Sequence, residues 1–213
     1  MFFYSFQIPD SLGVGAMSQF LPFALFAFVA SITPGPTNIL VLSNSTLYGL
    51  RAAMPIVLGA CAGAAMIVLL VGWGLGGVLL RYPLVQQGMA WLGMAWISVL
   101  AWQLFRSPAS GLATDPDSKR MGAGGGAALQ LVNPKTWMMA LAVISVFTGA
   151  DAGSVQYGVY ALIFFLVAVP CLVAWAMLGR GAARVLRSGR ALRRFNQGMA
   201  LLLLVSAWAS LLA

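Results

Sequence analysis

The stretch "SITPGPTNIL", residues 31–40, places two prolines and a glycine in the middle of a long apolar segment. A proline has no N–H and cannot bond the carbonyl four residues earlier, so Pro34 and Pro36 release the carbonyls of Ala30 and Ile32. In hydrocarbon, a backbone group without a partner costs several kcal/mol unless protein or water satisfies it. The stretch therefore predicts a membrane helix that is interrupted where it faces the protein interior or a wet cavity.

A second stretch of the same kind is "LVNPKTWMM", residues 131–139. Here Pro134 releases the carbonyl of Gln130, and Lys135 places a positive charge inside an otherwise apolar run. An ionisable residue at such a depth is by default a candidate for function. The alternative is that Lys135 reaches along its helix to the cytoplasmic surface, as long basic side chains often do.

The two stretches share a pattern that predicts new helix starts. Thr33-Pro34 and Asn133-Pro134 each resemble an N-cap followed by a proline at the first helical position. Each would begin a half-helix inside the membrane, with free amides and the positive end of the helix dipole.

The composition is that of a membrane protein. The chain has 213 residues, of which 61% are hydrophobic and 8% charged, whereas soluble domains carry about a quarter charged residues. There is no glutamate or histidine, and the two cysteines form no metal-binding pattern. An enzyme is disfavoured, because no nucleophile has a neighbouring base, and the sequence indicates no cofactor, metal or nucleic-acid partner.

Uncharged runs predict an all-α integral membrane protein with six membrane helices, of which the first and fourth are broken. Three helices in each half would make the two halves inverted repeats, and matching interruptions in such repeats indicate a transporter's binding site. The predicted spans are 19–43, 53–79, 84–105, 124–149, 155–179 and 195–213.

The sequence also predicts domain limits. Residues 1–16 form an N-terminal extension, with Met17 as a possible true start, and residues 17–213 form a single membrane domain. Within that domain, residues 17–106 are the first repeat, 107–123 a cytoplasmic linker rich in Ser, Pro, Gly and Asp, and 124–213 the second repeat.

The distribution of basic residues predicts the orientation. The segment from Arg180 to Arg194 carries six arginines, and a cytoplasmic location for it leaves Arg81 as the only basic residue outside. Both termini then face outward.

The two stretches also resemble a known family. "SITPGPTNILVLSNSTLYGLRAAMPIVLGACAG" is similar to the opening signature of the LysE/RhtB superfamily of amino-acid exporters, and "NPKTW" resembles its second signature. The resemblance covers the chain from Met17 to Ala213. It implies export of amino acids or related small metabolites from the bacterial cytoplasm, across the plasma (inner) membrane, by proton antiport.

These arguments give a candidate site for an amino-acid substrate. Lys135 and the half-helix N-termini suit the carboxylate, while the released carbonyls suit the ammonium. The predicted substrate-binding residues are Thr33, Pro34, Gly35, Pro36, Thr37, Asn38, Asn133, Pro134 and Lys135. The glycines of the family pattern that are predicted to serve helix packing are Gly49, Gly59 and Gly63.

No predicted span contains a carboxylate, which favours neutral substrates because a cationic side chain would lack a partner. The same absence leaves the identity of the proton carrier open: it is Lys135, the substrate itself or no group at all, with Asp151 at the outer edge of the membrane as a weaker candidate. A passive pore and an exporter of a metabolite other than an amino acid stay as alternatives, as does a homo-oligomer in the lipid bilayer.

Overall fold

The computed structural model describes residues 14–106, 121–147, 152–186 and 188–212, and within these ranges every regular element is helical. Some sequence predictions fall outside the described residues in part: the extension 1–16, of which 1–13 are not described, the linker 107–123, of which 107–120 are not described, and the ends of the spans 124–149 and 195–213. All four aspartates of the sequence also lie outside the described residues.

Nine α-helices occupy the described residues, and they overlap the predicted spans but differ in their bounds: α1 begins at Val14, inside the predicted extension, and α8 continues to Val185, beyond the predicted end at 179. The third helix continues through a short π-helical turn, Val71–Leu75, into the fourth. The helices are α1 Val14–Ile32, α2 Pro36–Tyr48, α3 Leu50–Leu70, α4 Gly76–Arg81, α5 Pro83–Phe105, α6 Ala123–Val132, α7 Pro134–Phe147, α8 Ser154–Val185 and α9 Gly189–Leu212.

Two helical segments are long and apolar enough to cross a membrane, Leu50–Val78 and Ser154–Val185. The pair Phe20–Ile32 and Pro36–Tyr48, bent by 56° at its break, makes a third if it counts as one span. The part of the chain that the structure describes thus has only helices as regular elements, with two or three clear spans, and the arrangement of six spans stays a prediction.

The first predicted interruption is present, but its helix start was placed wrongly. The backbone N–H and the hydroxyl of Thr33 both donate to the carbonyl of Val29, at 3.0 and 2.5 Å, so Thr33 closes α1 and does not cap α2. The N-cap of α2 is Gly35, in extended conformation at φ −164°, and Pro36 is the first helical residue.

The second interruption lies where the sequence predicts it. Helix α6 ends at Val132, and α7 begins at Pro134. The side-chain oxygen of Asn133 accepts a hydrogen bond from the backbone N–H of Lys135 at 3.2 Å, and its carbonyl accepts one from Thr136 at 3.0 Å. Asn133 therefore acts as the predicted N-cap of a half-helix with proline at its first position.

Two apolar clusters hold the broken helices in place. The first joins α1, α3, α7 and α8 and includes Val41 of α2; within it Phe23 meets Tyr160 edge-to-face with ring centroids 4.7 Å apart. The second joins α2, α5, α6 and α9. Within the second cluster Asn196 is fully buried between Leu192 and Ala200, and neither polar atom of its side chain has a partner among the described residues.

Glycines permit the closest contacts between helices. A Cβ on Gly59 of α3 would collide with the backbone of Ala123 on α6, and one on Gly63 would lie 2.9 Å from the Cα of Ala127. Gly179 of α8 likewise packs directly on the carbonyl of Leu42 in α2. At these positions any side chain would force the helices apart.

Gly49 has a different role from the helix packing predicted for it. It is the single residue between α2 and α3, its φ is +87°, and a Cβ at this position would meet nothing within 4 Å. Glycine is favoured here because the positive φ is strained for other residues, and the turn joins the two helices directly.

Candidate functional site

A cavity of about 50 Å³ lies between the two interruptions, which is room for a few water molecules. One side is formed by the start of α2, from Gly35 to Asn38, and the facing side by Gln130, Asn133, Lys135 and Thr136. Helices α1, α3 and α8 complete the lining. The two breaks, which are far apart in sequence, therefore face each other across one cavity.

Lys135 links the two breaks. Its ammonium donates a hydrogen bond to the carbonyl of Thr33 at 2.9 Å, and it lies 3.2 Å from the point that a Cβ of Gly35 would occupy. Among the described residues that line the cavity, Lys135 is the only charged one. The ammonium is held at the first break, where the absence of a side chain on Gly35 makes room for it.

A network of neutral side chains surrounds this charge. The hydroxyl oxygen of Thr37 accepts hydrogen bonds from the amides of Gln130, at 3.1 Å, and of Asn133, at 3.4 Å. Thr136 donates to the side-chain oxygen of Gln130 at 2.7 Å. The hydroxyl oxygen of Thr37 thus links α2 both to α6 and to Asn133, the residue between α6 and α7.

The carbonyls released by the prolines are mostly satisfied by the protein. The carbonyl of Ile32 accepts a hydrogen bond from the indole N–H of Trp175 on α8 at 3.1 Å, and that of Gln130 accepts one from the N–H of Asn133 at 3.3 Å. The carbonyl of Ala30 gains no donor from Pro34, and Ala30 lines the cavity. Of the three carbonyls predicted to meet a substrate ammonium, that of Ala30 is best placed.

The opposite wall of the cavity is apolar and consists largely of small side chains. Helix α3 contributes Ala60, Cys61 and Ala64, and α8 contributes Ala168 beside the larger Phe164. Cys61 is buried, as the apolar sequence around it suggests. The described residues contain no group of three or more His, Cys, Asp or Glu side chains that could hold a metal ion.

Six of the nine predicted binding residues line the cavity, and three do not. Thr33 and Pro34 are exposed, although the carbonyl of Thr33 accepts the hydrogen bond from Lys135. Pro134 is the first residue of α7 and is not among the residues that line the cavity. The six that line it are Gly35, Pro36, Thr37, Asn38, Asn133 and Lys135.

Sequence reasoning missed several residues of the site. Gln130 and Thr136 were not chosen, although a glutamine inside an apolar run, four residues before a proline, is a usable signal. Trp175 carries no local signal, because a tryptophan in an apolar helix is common and only the fold brings it to the first break. Ser31 lies in the quoted stretch itself, but nothing local indicates that its side chain lines a cavity.

Comparison with known proteins gives an independent result. Residues 28–212 match a family described as "LysE type translocator". A protein of Salmonella paratyphi A named "Cysteine/O-acetylserine efflux protein" is 29% identical over 186 residues, which are 87% of this chain and 93% of that protein. A protein of the same name from Escherichia coli O1:K1 is 30% identical over 188 residues, with the same coverage.

No solved structure matches the chain. The match to the family covers nearly all of the helical segments described above and includes both interruptions. The chain therefore belongs to the LysE type translocators, a family of multi-pass membrane transporters rather than enzymes.

Proposed function

We propose that the protein exports neutral amino acids, or closely related small metabolites, from the cytoplasm across the inner membrane of a bacterium. Membership of the LysE family supports transport, and the names of the two relatives point to efflux of cysteine and O-acetylserine. Both compounds are neutral amino acids, so they are the first substrates to test.

The observation that carries the proposal is the bond from Lys135 to the carbonyl of Thr33 between the two breaks. An ammonium has three donors and this bond uses one of them. A substrate carboxylate in the cavity would bind the ammonium more strongly than a neutral carbonyl does, since its full negative charge adds an ion-pair attraction that a carbonyl lacks. Substrate binding would then exchange one partner of Lys135 for another and loosen the link between the breaks.

The start of α2 supplies a second feature that suits a carboxylate. The first helical hydrogen bond at this end runs from the N–H of Ile39 to the carbonyl of Gly35 at 3.1 Å, so the N–H groups of Thr37 and Asn38 precede the helical ladder. Gly35 has no side chain with which to cap them. Such free amides at the positive end of a helix favour anions.

The lack of negative charge supports neutral substrates. The part of the chain that the structure describes contains no Asp, Glu or His, so a cationic side chain would find no ion-pair partner there. The substrate ammonium needs carbonyl oxygens instead, and that of Ala30 is the best candidate. The proposal of a neutral substrate thus rests on the absence of acidic side chains from the described residues around the cavity.

Helix packing supports the proposed six spans in two inverted repeats. The second helix of each half packs on the broken helix of the other half: α3 contacts α6 and α7, and α8 contacts α1 and α2. The last helices of the halves, α5 and α9, contact each other. Exchanging the two halves exchanges these contacts with one another, as an internal two-fold relation would, although the contact of α2 with α3 has only a weaker counterpart or none between α7 and α8. The arginines near α9 would then be cytoplasmic and both termini external.

We propose proton antiport as the mode of coupling, with Lys135 or the substrate itself as the proton carrier. Coupling distinguishes this function from a passive pore, because only a coupled exporter can move its substrate against a gradient.

The test uses cells loaded with dipeptides that release a single amino acid inside, followed by measurement of that amino acid in the medium. Cells with the wild-type protein are expected to export a neutral amino acid faster than cells without it, and against its gradient. Lys135→Ala should abolish this export while the protein stays in the membrane.

The matched control is Arg81→Ala, which removes an exposed cation at the end of α4, away from the cavity. It is expected to export like the wild type. Full export by Lys135→Ala would refute the role of this lysine, and export that stops once the gradient is level would indicate a pore.

A further inference from the structure

Ser31 is a buried hydroxyl in the last turn of α1 that the site described above does not use. The residue is 7% exposed and is one of those that line the cavity. The hydroxyl has no hydrogen-bond partner among the described residues. Its backbone carbonyl, by contrast, accepts a hydrogen bond from the side-chain amide of Asn38 at 2.8 Å. The residue is therefore held in place by α2 while its hydroxyl is left unpaired.

The other polar side chains of the lining already bind protein groups. Gln130 bonds both Thr37 and Thr136, Asn133 bonds Thr37, and Lys135 bonds the first break. A buried hydroxyl without a partner costs about 1–3 kcal/mol, so natural structures rarely retain one without a reason. In a substrate cavity the simplest reason is a polar group on the substrate.

The apolar part of the cavity lining limits the size of that group. Ala60 and Ala64 of α3 and Ala168 of α8 leave space for a short side chain beside the larger Phe164. A substrate with a branched apolar side chain would cover the hydroxyl of Ser31 without bonding it. Sites that are built to bond a polar group discriminate strongly against analogues that lack it.

We infer that the Ser31 hydroxyl binds the polar side-chain group of the substrate, and that the site selects small neutral amino acids that carry a hydroxyl, thiol or ester near Cβ. The inference rests on the proposed function and narrows its substrate class. Lys135 and the start of α2 would hold the carboxylate, and Ser31 would distinguish a polar from an apolar side chain of similar shape.

The experiment compares serine with 2-aminobutyrate, in which a methyl group replaces the hydroxyl. Vesicles containing the purified protein are loaded with both compounds, and the ratio of their initial export rates is measured. Ser31→Ala is expected to lower the ratio of serine to 2-aminobutyrate export by roughly threefold to tenfold, as the loss of one neutral hydrogen bond implies. Ser31→Thr keeps a hydroxyl and should keep most of the ratio.

Ser43→Ala is the matched control. Ser43 is also a buried serine, 2% exposed and without a partner among the described residues, but it lies outside the cavity lining. Its removal should leave the ratio unchanged. An unchanged ratio in Ser31→Ala, or an equal loss of both compounds from protein of normal abundance, would overturn the role of Ser31. Wild-type protein that exports neither compound would also overturn this inference. Absence of export for every amino acid in the dipeptide assay would refute the proposed function as well.

Discussion

The contact between α3 and α6 gives the sharpest prediction for stability, through the substitution Gly59→Ala. The added Cβ would lie 2.6 Å from the carbonyl carbon and 2.7 Å from the Cα of Ala123, whereas ordinary contact begins at 3.4 Å. The carbonyl carbon alone requires the helices to separate by 0.8 Å, which is 3.4 less 2.6, and the carbonyl oxygen of Ala123 lies closer still. Both partners are backbone, so only a separation of the two helices can relieve the contact. Overpacking of this kind costs about 1–3 kcal/mol.

Alanine in place of glycine also has a favourable effect of about 0.5–1 kcal/mol in a helix. The free energy of unfolding is then expected to fall by up to about 2 kcal/mol in Gly59→Ala. This corresponds to a fall in Tm of roughly 4–8 °C for a chain of this size. Thermal unfolding of the purified protein in detergent, followed by the fraction that stays monodisperse, measures this change.

Substitutions of two further glycines provide comparisons for Gly59→Ala within the same protein. Gly63→Ala meets Ala127 at 2.9 Å and should lower Tm by less, while Gly158→Ala in α8 meets nothing within 4 Å and should keep or slightly raise Tm. If Gly59→Ala proved as stable as Gly158→Ala, α3 and α6 could not be in backbone contact, and the reasoning would be refuted.

Two other predictions concern buried polar groups. Trp175→Phe removes the N–H that binds the carbonyl of Ile32, and it is expected to destabilise the protein by about 1–2 kcal/mol in thermal unfolding, whereas Trp73→Phe at an exposed position should not. Asn196→Leu replaces an amide that has no partner among the described residues with an apolar group of similar size. It should therefore raise Tm by a few degrees, and a fall in Tm would show that the amide does form a hydrogen bond.

The interruptions could be predicted from the sequence because their cause is local. Pro34, Pro36 and Pro134 lack an N–H wherever the chain takes them, so the breaks follow from the residues alone. The cap at Asn133 was predicted correctly for the same reason, since its partner is the N–H of Lys135 two residues later.

The start of α2 was misplaced because two local hydrogen bonds compete. Thr33 could have capped the following helix, but its hydroxyl bonds back to the carbonyl of Val29 and extends α1 instead. Threonine hydroxyls make both kinds of bond, and the sequence does not decide between them. Pro36 then becomes the first helical residue, with Gly35 before it.

The contacts between the halves could not be predicted, because the partners are distant in the chain. Trp175 and Ile32 are separated by 143 residues, and Gln130 and Thr37 by 93. No helical periodicity relates such residues, and only the packing of the two halves against each other brings them together. The role of Ser31 could not be predicted either, because its hydroxyl is seen to lack a partner only once the helices are packed around the cavity.

The single positive charge of the cavity lining has an electrical consequence. Lys135 carries the only formal charge among the described lining residues, and a neutral amino acid adds equal positive and negative charge. The empty and the loaded site therefore have the same net charge, and the membrane voltage acts on both alike. Voltage contributes only through a counter-ion, at about 2.3 kcal/mol per elementary charge for each 100 mV. One proton entering per amino acid exported would thus sustain roughly a 50-fold concentration difference at that voltage.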